Sequence, residues 1–331
     1  MIDRPKINLS NLEYPGADHD RSWHQLVFPR NYNNPTPQSR YHLVVIGAGP
    51  AGLITAIAAA GLGAKVALIE QKGMGGDCLN VGCVPSKALL EFTRRTSSPS
   101  FDDAFTWLRS VRESIAKNDS VDRYLDHGVD VFLGSGEFID GQTVQVGMHR
   151  LKTRRTVIAT GSRPILPNIP GLIESEPLTN ESIFDLIDPP KRLAILGAGA
   201  VGCELSQALA CLGIEINLFE MADTILPMAH KKASAEIARA LIAKNVQLHT
   251  KCQISEIRHT DTKKPNNRTQ VIYPRIWLSP CPNTERQSDN DSNHNREEGQ
   301  LNSCGEAFNN KQQNRVSIAE RHTKIALQGS H

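Results

Sequence analysis

The sequence predicts an α/β fold in which the same strand–helix–strand unit occurs twice, and two observations predict it. At residues 42–70 an apolar run leads through a G-x-G-x-x-G turn into a segment of small residues and then into a second apolar run. The same order recurs at residues 191–220, and the two stretches end on Glu70 and Glu220. Because strands that alternate with helices form parallel sheets, we expect two domains that are each built on one.

The first unit has the fingerprint of a Rossmann-like dinucleotide-binding domain. Its predicted elements are a strand at 43–46, a helix at 50–62 and a second strand at 65–69. Gly47 permits the sharp bend after the first strand, Gly49 lets a pyrophosphate approach the backbone, and Gly52 lets helix and strand pack closely. The pyrophosphate would lie at the helix N-terminus, and Glu70 would accept hydrogen bonds from a ribose.

Two cysteines follow the first unit within a thirteen-residue string, G-G-D-C-L-N-V-G-C-V-P-S-K, which begins at Gly75. A disulfide between Cys78 and Cys83 would bring two sulfur atoms within reach of one planar group, and a nearby helix N-terminus would lower a thiol pKa. The alternatives are two structural thiols or half of a metal site. A zinc site would need two further ligands, and the sequence has no second C-x-x-C or H-x-x-H pair. The pattern favours a redox pair.

This string resembles the redox-active disulfide of the class I pyridine nucleotide-disulfide oxidoreductases, which include dihydrolipoamide dehydrogenase, glutathione reductase and mercuric reductase, and it is most similar to the mercuric reductase branch. The resemblance implies FAD in the first unit, with the disulfide against the isoalloxazine ring. It implies that Cys83 forms the charge-transfer contact with the flavin and that Cys78 is the interchange thiol. Lys87 would reach the flavin N5 region; the other interpretation is an ordinary surface lysine.

A second segment resembles the same family. Ala159, Thr160 and Gly161 follow an apolar strand that starts at Arg155. They match the A-T-G segment at which the chain of these enzymes leaves the FAD domain against the cofactor. The tripeptide alone would indicate little, but its place between the two glycine motifs supports the FAD assignment.

The second unit repeats the fingerprint at Gly197, Gly199 and Gly202, followed by a strand at 214–219 and Glu220. One cofactor would not need both units, so the second is expected to bind the nicotinamide nucleotide. Glu220 favours NADH over NADPH because a carboxylate repels a 2′-phosphate and hydrogen-bonds a 2′-hydroxyl. No arginine follows within the next few residues to receive that phosphate.

Glu204, two positions after the last glycine, matches the family acid that pairs with the lysine of the cysteine string. We therefore expect an ion pair between Glu204 and Lys87; the alternative is a solvated helix residue. Cys203 and Cys211 on the same helix are expected to be small core residues.

The other segments complete the predicted organisation. We expect a polar, proline-rich extension at 1–40, the first FAD segment at 41–162, an incomplete NAD(P) domain at 163–258 and a polar, disordered tail at 259–331. Within the FAD segment, residues 91–127 are expected to be core-packing helix, and 129–147 a small meander that turns at Asp140–Gly141. The resemblance stops near residue 258, so the family's second FAD segment and its interface domain, with the His-Pro-Thr-x-x-Glu motif and the dimer contacts, are expected to be missing through truncation or a frame disruption.

Composition excludes several classes of protein. The 331 residues carry 37 Lys and Arg against 35 Asp and Glu, which argues against a nucleic-acid or anionic-membrane partner. The N-terminus has no apolar signal region. The uncharged stretch from Leu43 to Ala64 could span a bilayer by length, but its glycines at turn positions favour a buried strand, turn and helix. We expect a cytoplasmic protein without a metal site.

The sequence thus predicts an FAD-dependent NAD(P)H oxidoreductase similar to mercuric reductase. Electrons would pass from NADH to FAD, then to the Cys78–Cys83 disulfide, and finally to a small-molecule, disulfide or metal-ion substrate. A dihydrolipoamide dehydrogenase-like enzyme is the enzymatic alternative. A non-catalytic nucleotide-binding fragment is the alternative from a different class.

Overall fold

The computed structural model describes residues 18–260, 273–279 and 323–327. Its helices are α1 (Asp18–Val27), α2 (Pro50–Gly61), α3 (Gly76–Val81), α4 (Cys83–Arg95), α5 (Phe101–Ala116), α6 (Val121–Asp126), α7 (Ala200–Cys211) and α8 (Lys231–Ile242), with 3₁₀ turns at Ile173–Ser175 and Ile183–Asp185. Its strands are β1 (Tyr41–Ile46), β2 (Val66–Glu70), β3 (Val129–Leu133), β4 (Gly136–Asp140), β5 (Thr143–Val146), β6 (His149–Ile158), β7 (Leu178–Thr179), β8 (Arg192–Leu196), β9 (Glu215–Phe219), β10 (Gln247–His249), β11 (Gln253–Thr260), β12 (Tyr273–Ser279) and β13 (Thr323–Leu327).

The first sheet has the strand order β3-β2-β1-β6-β5-β4. β1 pairs in parallel with β2 and β6, and β2 pairs in parallel with β3. β2 is buried along its whole length, which is typical of a parallel strand covered on both faces. The α/β fold and the strand–turn–helix order of the first unit are therefore confirmed, including the interpretation of the uncharged stretch as β1 and α2.

The expected meander is only partly correct. Residues 136–158 form an antiparallel meander, β4-β5-β6, with a turn after Asp140. Val129–Leu133, however, is β3 and pairs in parallel with β2. Alternation along a single segment does not reveal which strand lies beside it, so the sequence pattern could not separate β3 from the hairpin that follows.

The second sheet has the order β10-β9-β8-β13-β7, and within the described residues its neighbouring strands all pair in parallel. β13 lies between β8 and β7, and β12 pairs with β11. Two segments of the tail are therefore strands, which corrects the expectation that all of residues 259–331 are disordered. The rest of the tail lies outside the described residues.

The segment before β1 differs from the expected surface extension. Residues 1–17 of that extension lie outside the described residues; the described part contains α1, whose Val27 is buried, and leads into Tyr41, the fully buried first residue of β1. Asn34 then binds the edge strand β3 in both directions, from Nδ2 to the Leu133 carbonyl at 3.0 Å and from the Leu133 amide to Oδ1 at 2.8 Å. Several of its polar side chains, including Asp20, Tyr32 and Asn34, are therefore bonded within the protein, which the polar composition did not predict.

Helices α4 and α5 connect the two sheets. Leu89 and Phe105 belong to the same buried cluster as Leu205 and Leu209 of α7. Most of the apolar residues expected to pack between 91 and 127 are buried or partly buried, but Trp107 is 40% exposed. None of the helices in the described part of the chain combines the length and apolar composition that crossing a bilayer requires.

Candidate functional site

The first glycine loop is shaped partly by contacts within the protein. Gly47 has a φ of +104°, which only glycine adopts readily, and its amide donates to the Ile69 carbonyl at 2.8 Å. A Cβ at Gly47 would lie 2.2 Å from the Ala159 carbonyl oxygen. A Cβ at Gly52 would lie 1.8 Å from the Gly47 carbonyl oxygen. Both glycines are therefore required by the packing of the loop itself.

Gly49 is different, because neither conformation nor packing requires a glycine there. Its φ of −73° suits any residue, and the nearest atom to a Cβ at this position, the Gly76 Cα, would be 3.9 Å away. Gly49 also caps α2 without a side chain that could accept from the first-turn amides. The open space beside a helix N-terminus fits the diphosphate of a dinucleotide such as FAD.

Glu70 joins the end of β2 to this loop. Its Oε2 accepts from the Ala48 amide at 2.7 Å, and its Oε1 accepts from the amides of Lys72 at 2.7 Å and Gly73 at 3.2 Å. Burial raises the pKa of this carboxyl group, although the amide donors oppose the shift. The contact of Glu70 with a ribose stays a prediction; the structure shows that Glu70 fixes the glycine loop.

The A-T-G segment lies against the same loop. The Ala159 amide donates to the Ile46 carbonyl at 2.8 Å, directly before Gly47. Gly161 has a φ of +67° and turns the chain away from β6. Ala159, Thr160 and Gly161 are thus brought to the edge where the glycine loop lies, as the resemblance implies.

The cysteine string is also docked on this loop. The Gly75 amide donates to the Ala48 carbonyl at 2.9 Å. Gly76, with a φ of +57°, packs so closely on the loop that a Cβ would lie 2.6 Å from the Gly49 Cα. The two motifs, separate in sequence, therefore form one site.

Both thiols of the string are free in this structure, and a Cβ at Gly82, the residue before Cys83, would lie 3.5 Å from the Cys78 Cα. Cys78 lies in α3, whereas Cys83 is the first residue of α4. Burial, followed by the Cys83 side chain, raises the pKa of Cys78 to about 11. A nearby helix N-terminus is expected to lower the pKa of one of the two thiols; for Cys78, in the first turn of α3, the pKa is raised instead, because burial and the neighbouring Cys83 side chain dominate.

Lys87 and Glu204 form the expected ion pair. Lys87 Nζ lies 2.6 Å from Glu204 Oε1 and 2.7 Å from Oε2, and Ser86 Oγ donates to Oε2 at 3.1 Å. This contact connects α4, in the cysteine string, to α7, in the second unit. Neither residue is an isolated surface charge.

The second glycine loop repeats the first almost bond for bond. Gly197 has a φ of +100°, and its amide donates to the Phe219 carbonyl at 2.8 Å. Glu220 Oε2 accepts from the Ala198 amide at 2.8 Å and its Oε1 accepts from the Ala222 amide at 3.0 Å. Gly199 caps α7, and Gly202 is buried within that helix. The loop therefore has the form of a second nucleotide site.

Sequence reasoning missed the role of Asn80 within the cysteine string and the two residues that contact it there, Trp23 and Arg112. Trp23 Nε1 donates to Asn80 Oδ1 at 2.8 Å, and Arg112 Nη1 donates to the Asn80 carbonyl at 3.2 Å. The position of Asn80 between the two cysteines could have drawn attention to it. Trp23 and Arg112 lie 57 and 32 positions away from it, and no local pattern marks either residue.

Comparison with known proteins agrees with this geometry. Residues 41–277 match the family described as pyridine nucleotide-disulphide oxidoreductase. A mercuric reductase of Staphylococcus aureus is 32% identical over 294 residues, which cover 83% of this chain and 51% of the relative. A dihydrolipoyl dehydrogenase of Acholeplasma laidlawii is 31% identical over 240 residues, which cover 66% of this chain and 70% of the relative.

A solved structure is similar over the same region. The Cu(II) complex of the HOCl-induced flavoprotein disulfide reductase RclA from Escherichia coli has a TM-score of 0.62 at 26% identity, over 71% of this chain and 54% of that chain. The chain thus spans about half the length of the mercuric reductase and of the RclA chain that it matches.

Proposed function

Because the chain belongs to the pyridine nucleotide-disulphide oxidoreductase family, we propose that it carries electrons from NADH through bound FAD to the Cys78–Cys83 pair and on to a small substrate. The observation that carries this proposal is the docking of the cysteine string on the first glycine loop. Gly76 packs on Gly49 with no room for a Cβ, and Gly75 bonds to Ala48. A cofactor held by that loop would lie beside the thiols.

The residues that would hold FAD are those of the first loop and its supports. The first-turn amides of α2 would face the diphosphate at Gly49, Glu70 would reach the ribose, and Ala159–Gly161 would line the same edge. Bound FAD would supply two-electron chemistry, accepting a hydride from a nicotinamide nucleotide and passing an electron pair to a disulfide. Lys87 is held by both carboxylate oxygens of Glu204, and this contact would fix the position of the ammonium group beside the flavin.

The two thiols would then reduce the substrate by exchange. For a disulfide substrate, the Cys78 thiolate attacks one sulfur and expels the other as a thiolate, which forms a mixed disulfide. Cys83 then attacks Cys78, releases the second substrate thiol and closes the Cys78–Cys83 disulfide. Because the pKa of Cys78 is raised to about 11, its proton must be transferred before it can attack at neutral pH.

NADH is the proposed electron donor. The Glu220 carboxylate lies at the end of β9 and is fixed by the amides of Ala198 and Ala222, beside the second loop. A carboxylate held there would accept a hydrogen bond from a 2′-hydroxyl and would repel the 2′-phosphate of NADPH.

Mercuric ion is the acceptor that the mercuric reductase relatives suggest. Lipoamide is the second candidate, because a dihydrolipoyl dehydrogenase has nearly the same sequence identity to this chain, 31% against 32%. The test is steady-state oxidation of NADH by the purified, FAD-loaded chain with mercuric ion or lipoamide, before and after the Cys78→Ser change. Turnover with one acceptor that is lost in Cys78→Ser supports the proposal. Turnover with neither, or turnover unaffected by Cys78→Ser, contradicts it.

A further inference from the structure

Asn80 braces the short segment that carries both cysteines. Its Nδ2 donates to the carbonyls of Met74 at 3.1 Å and Gly76 at 2.9 Å, which precede Cys78. Helix α3 spans only Gly76–Val81, and a helix of six residues has little stability of its own. The Asn80 side chain therefore holds the backbone that leads into Cys78 against the segment between the two thiols, in which Asn80 itself lies.

Trp23 fixes the orientation of that side chain. The indole Nε1–H can only donate, and it donates to Asn80 Oδ1 at 2.8 Å. The amide oxygen must therefore face Trp23, and the NH₂ group is left to face the carbonyls of Met74 and Gly76. Removing the indole N–H would leave Oδ1 without this donor and would free the amide to turn.

Trp23 is in turn held by a buried ion pair. The Arg112 guanidinium lies 4.0 Å from the centroid of the Trp23 ring, and Arg112 Nη2 donates to Asp20 Oδ1 at 2.8 Å. The Arg112 side chain is 1% exposed and that of Asp20 is 5% exposed. Arg112, in α5, also donates to the Asn80 carbonyl. Helix α1 is therefore connected to Asn80 directly through Trp23 and indirectly through the Asp20–Arg112 ion pair.

We propose that Trp23 and Asn80 are positioning residues for the Cys78–Cys83 pair, so that helix α1 sets how readily the two thiols close to a disulfide. The inference rests on the proposed function, since it assumes that these thiols are the redox pair. The two cysteines already lie near each other in the reduced protein, since a Cβ at Gly82, the residue before Cys83, would be 3.5 Å from the Cys78 Cα. Bracing by Asn80 keeps them together, and disulfide closure is favoured when two thiols are held near each other.

The test is the equilibrium of the full 331-residue chain with glutathione. Oxidised glutathione takes two electrons and two protons from the Cys78 and Cys83 thiols, which become a disulfide, and leaves as two molecules of reduced glutathione. After alkylation of free thiols, trypsin releases residues 73–87, which contain both cysteines. The mass of this peptide gives the oxidised fraction at each glutathione ratio.

We expect Trp23→Phe to lower the equilibrium constant for disulfide formation by about threefold to tenfold, the range of one net hydrogen bond. A tenfold decrease in this constant makes the reduction potential of the Cys78–Cys83 couple about 30 mV less negative in the variant than in the wild type. Phenylalanine keeps a ring beneath Arg112, so the ion pair with Asp20 is preserved. Asn80→Ala should lower the constant at least as much, and adding Trp23→Phe to Asn80→Ala should have no further effect.

Trp107→Phe is the matched control, because this half-exposed tryptophan of α5 is outside the contacts described above; its constant should equal that of the wild type. If Trp23→Phe does not fold by circular dichroism, Asn80→Ala carries the test. Unchanged constants in folded Trp23→Phe or Asn80→Ala would overturn the inference, and so would an undiminished Trp23→Phe effect in the Asn80→Ala background. A wild-type chain that never forms this disulfide would instead overturn the proposed function itself.

Discussion

Lys87 Nζ lies within 2.7 Å of both carboxylate oxygens of Glu204, and this contact joins the helix of the cysteine string to the helix of the second glycine loop. The two residues are 117 positions apart in the chain. The Lys87 side chain is 57% exposed, so the pair is only partly removed from water. Its main effect should therefore be on where the lysine charge is held.

Glu204→Gln should change the stability of the protein little but should slow electron transfer from NADH to FAD. Because exposed ion pairs contribute about 0–1 kcal/mol, the free energy of unfolding should change by no more than about 1 kcal/mol in urea titrations. The rate at which NADH reduces the FAD-loaded protein should fall by about tenfold or more in rapid mixing, since the lysine is no longer held in one place. Glu91→Gln, which breaks surface pairs with Arg94 and Arg95 on the same helix, should change neither rate nor cofactor content. An unchanged rate in Glu204→Gln would contradict the assigned role.

Gly49→Ala should abolish FAD binding while leaving the fold intact. The protein itself leaves 3.9 Å between a Cβ at this position and its nearest neighbour, so a methyl group fits the protein but fills the space proposed for the diphosphate. The measurement is flavin absorbance per protein after reconstitution, together with a thermal melt. Gly61→Ala, in the last turn of the same helix with open space around it, should bind FAD like the wild type. Equal flavin content in both variants would refute the assignment of Gly49.

Glu220 should make the chain prefer NADH to NADPH. A charge conflict with the 2′-phosphate at a partly exposed site is worth on the order of 1–3 kcal/mol, or about tenfold to a hundredfold in affinity. Glu220→Gln keeps the size of the side chain and one acceptor oxygen but removes the charge. It should therefore reduce the difference between the affinities for NADH and NADPH, measured by fluorescence titration. Glu215→Gln, at the exposed start of the same strand, is the control and should keep it. Equal wild-type affinities for the two nucleotides would count against the prediction.

Cys78 should react slowly with alkylating agents at neutral pH. A thiol with a pKa raised to about 11 is protonated below that value, so its alkylation rate should keep rising as the pH increases towards 11. In Cys83→Ala the polar side chain and the charge of the neighbouring thiol are removed while burial remains, so the pH midpoint of Cys78 alkylation should move down. The measurement is the rate of iodoacetamide labelling of Cys78 in reduced, flavin-free protein, with the labelled cysteine of the peptide 73–87 identified by fragmentation in the mass spectrometer. A wild-type midpoint at or below the ordinary thiol value of 9 would contradict this prediction.

Sequence could predict the parts of this site that depend on local rules. Gly47 and Gly197 are required by a left-handed turn between a strand and a helix, and a fixed spacing of glycines records that requirement. The pairing of Lys87 with Glu204 was accessible only through the family resemblance. Helix α1 was missed because its buried acid, Asp20, is satisfied by Arg112, which lies 92 positions later. Long-range compensation of this kind leaves no periodic pattern in either segment.

The burial of individual side chains at the site could not be predicted from the sequence either. The pKa of Cys78 is raised because the thiol is partly removed from water and faces Cys83, and neither condition follows from its spacing in the string. The same holds for Gly49 and Gly76, whose close approach brings the cofactor loop and the thiols into one site.

The central claim is that electrons from NADH reach the Cys78–Cys83 pair, and thiol mapping after anaerobic reduction tests it most directly. The FAD-loaded chain, first oxidised to the disulfide form, is mixed with one equivalent of NADH and alkylated, and residues 73–87 are weighed. The account predicts that this peptide gains two alkyl groups, one on each cysteine, and that the chain with Gly49→Ala gains none. If NADH leaves the disulfide closed while dithiothreitol opens it, the account is contradicted.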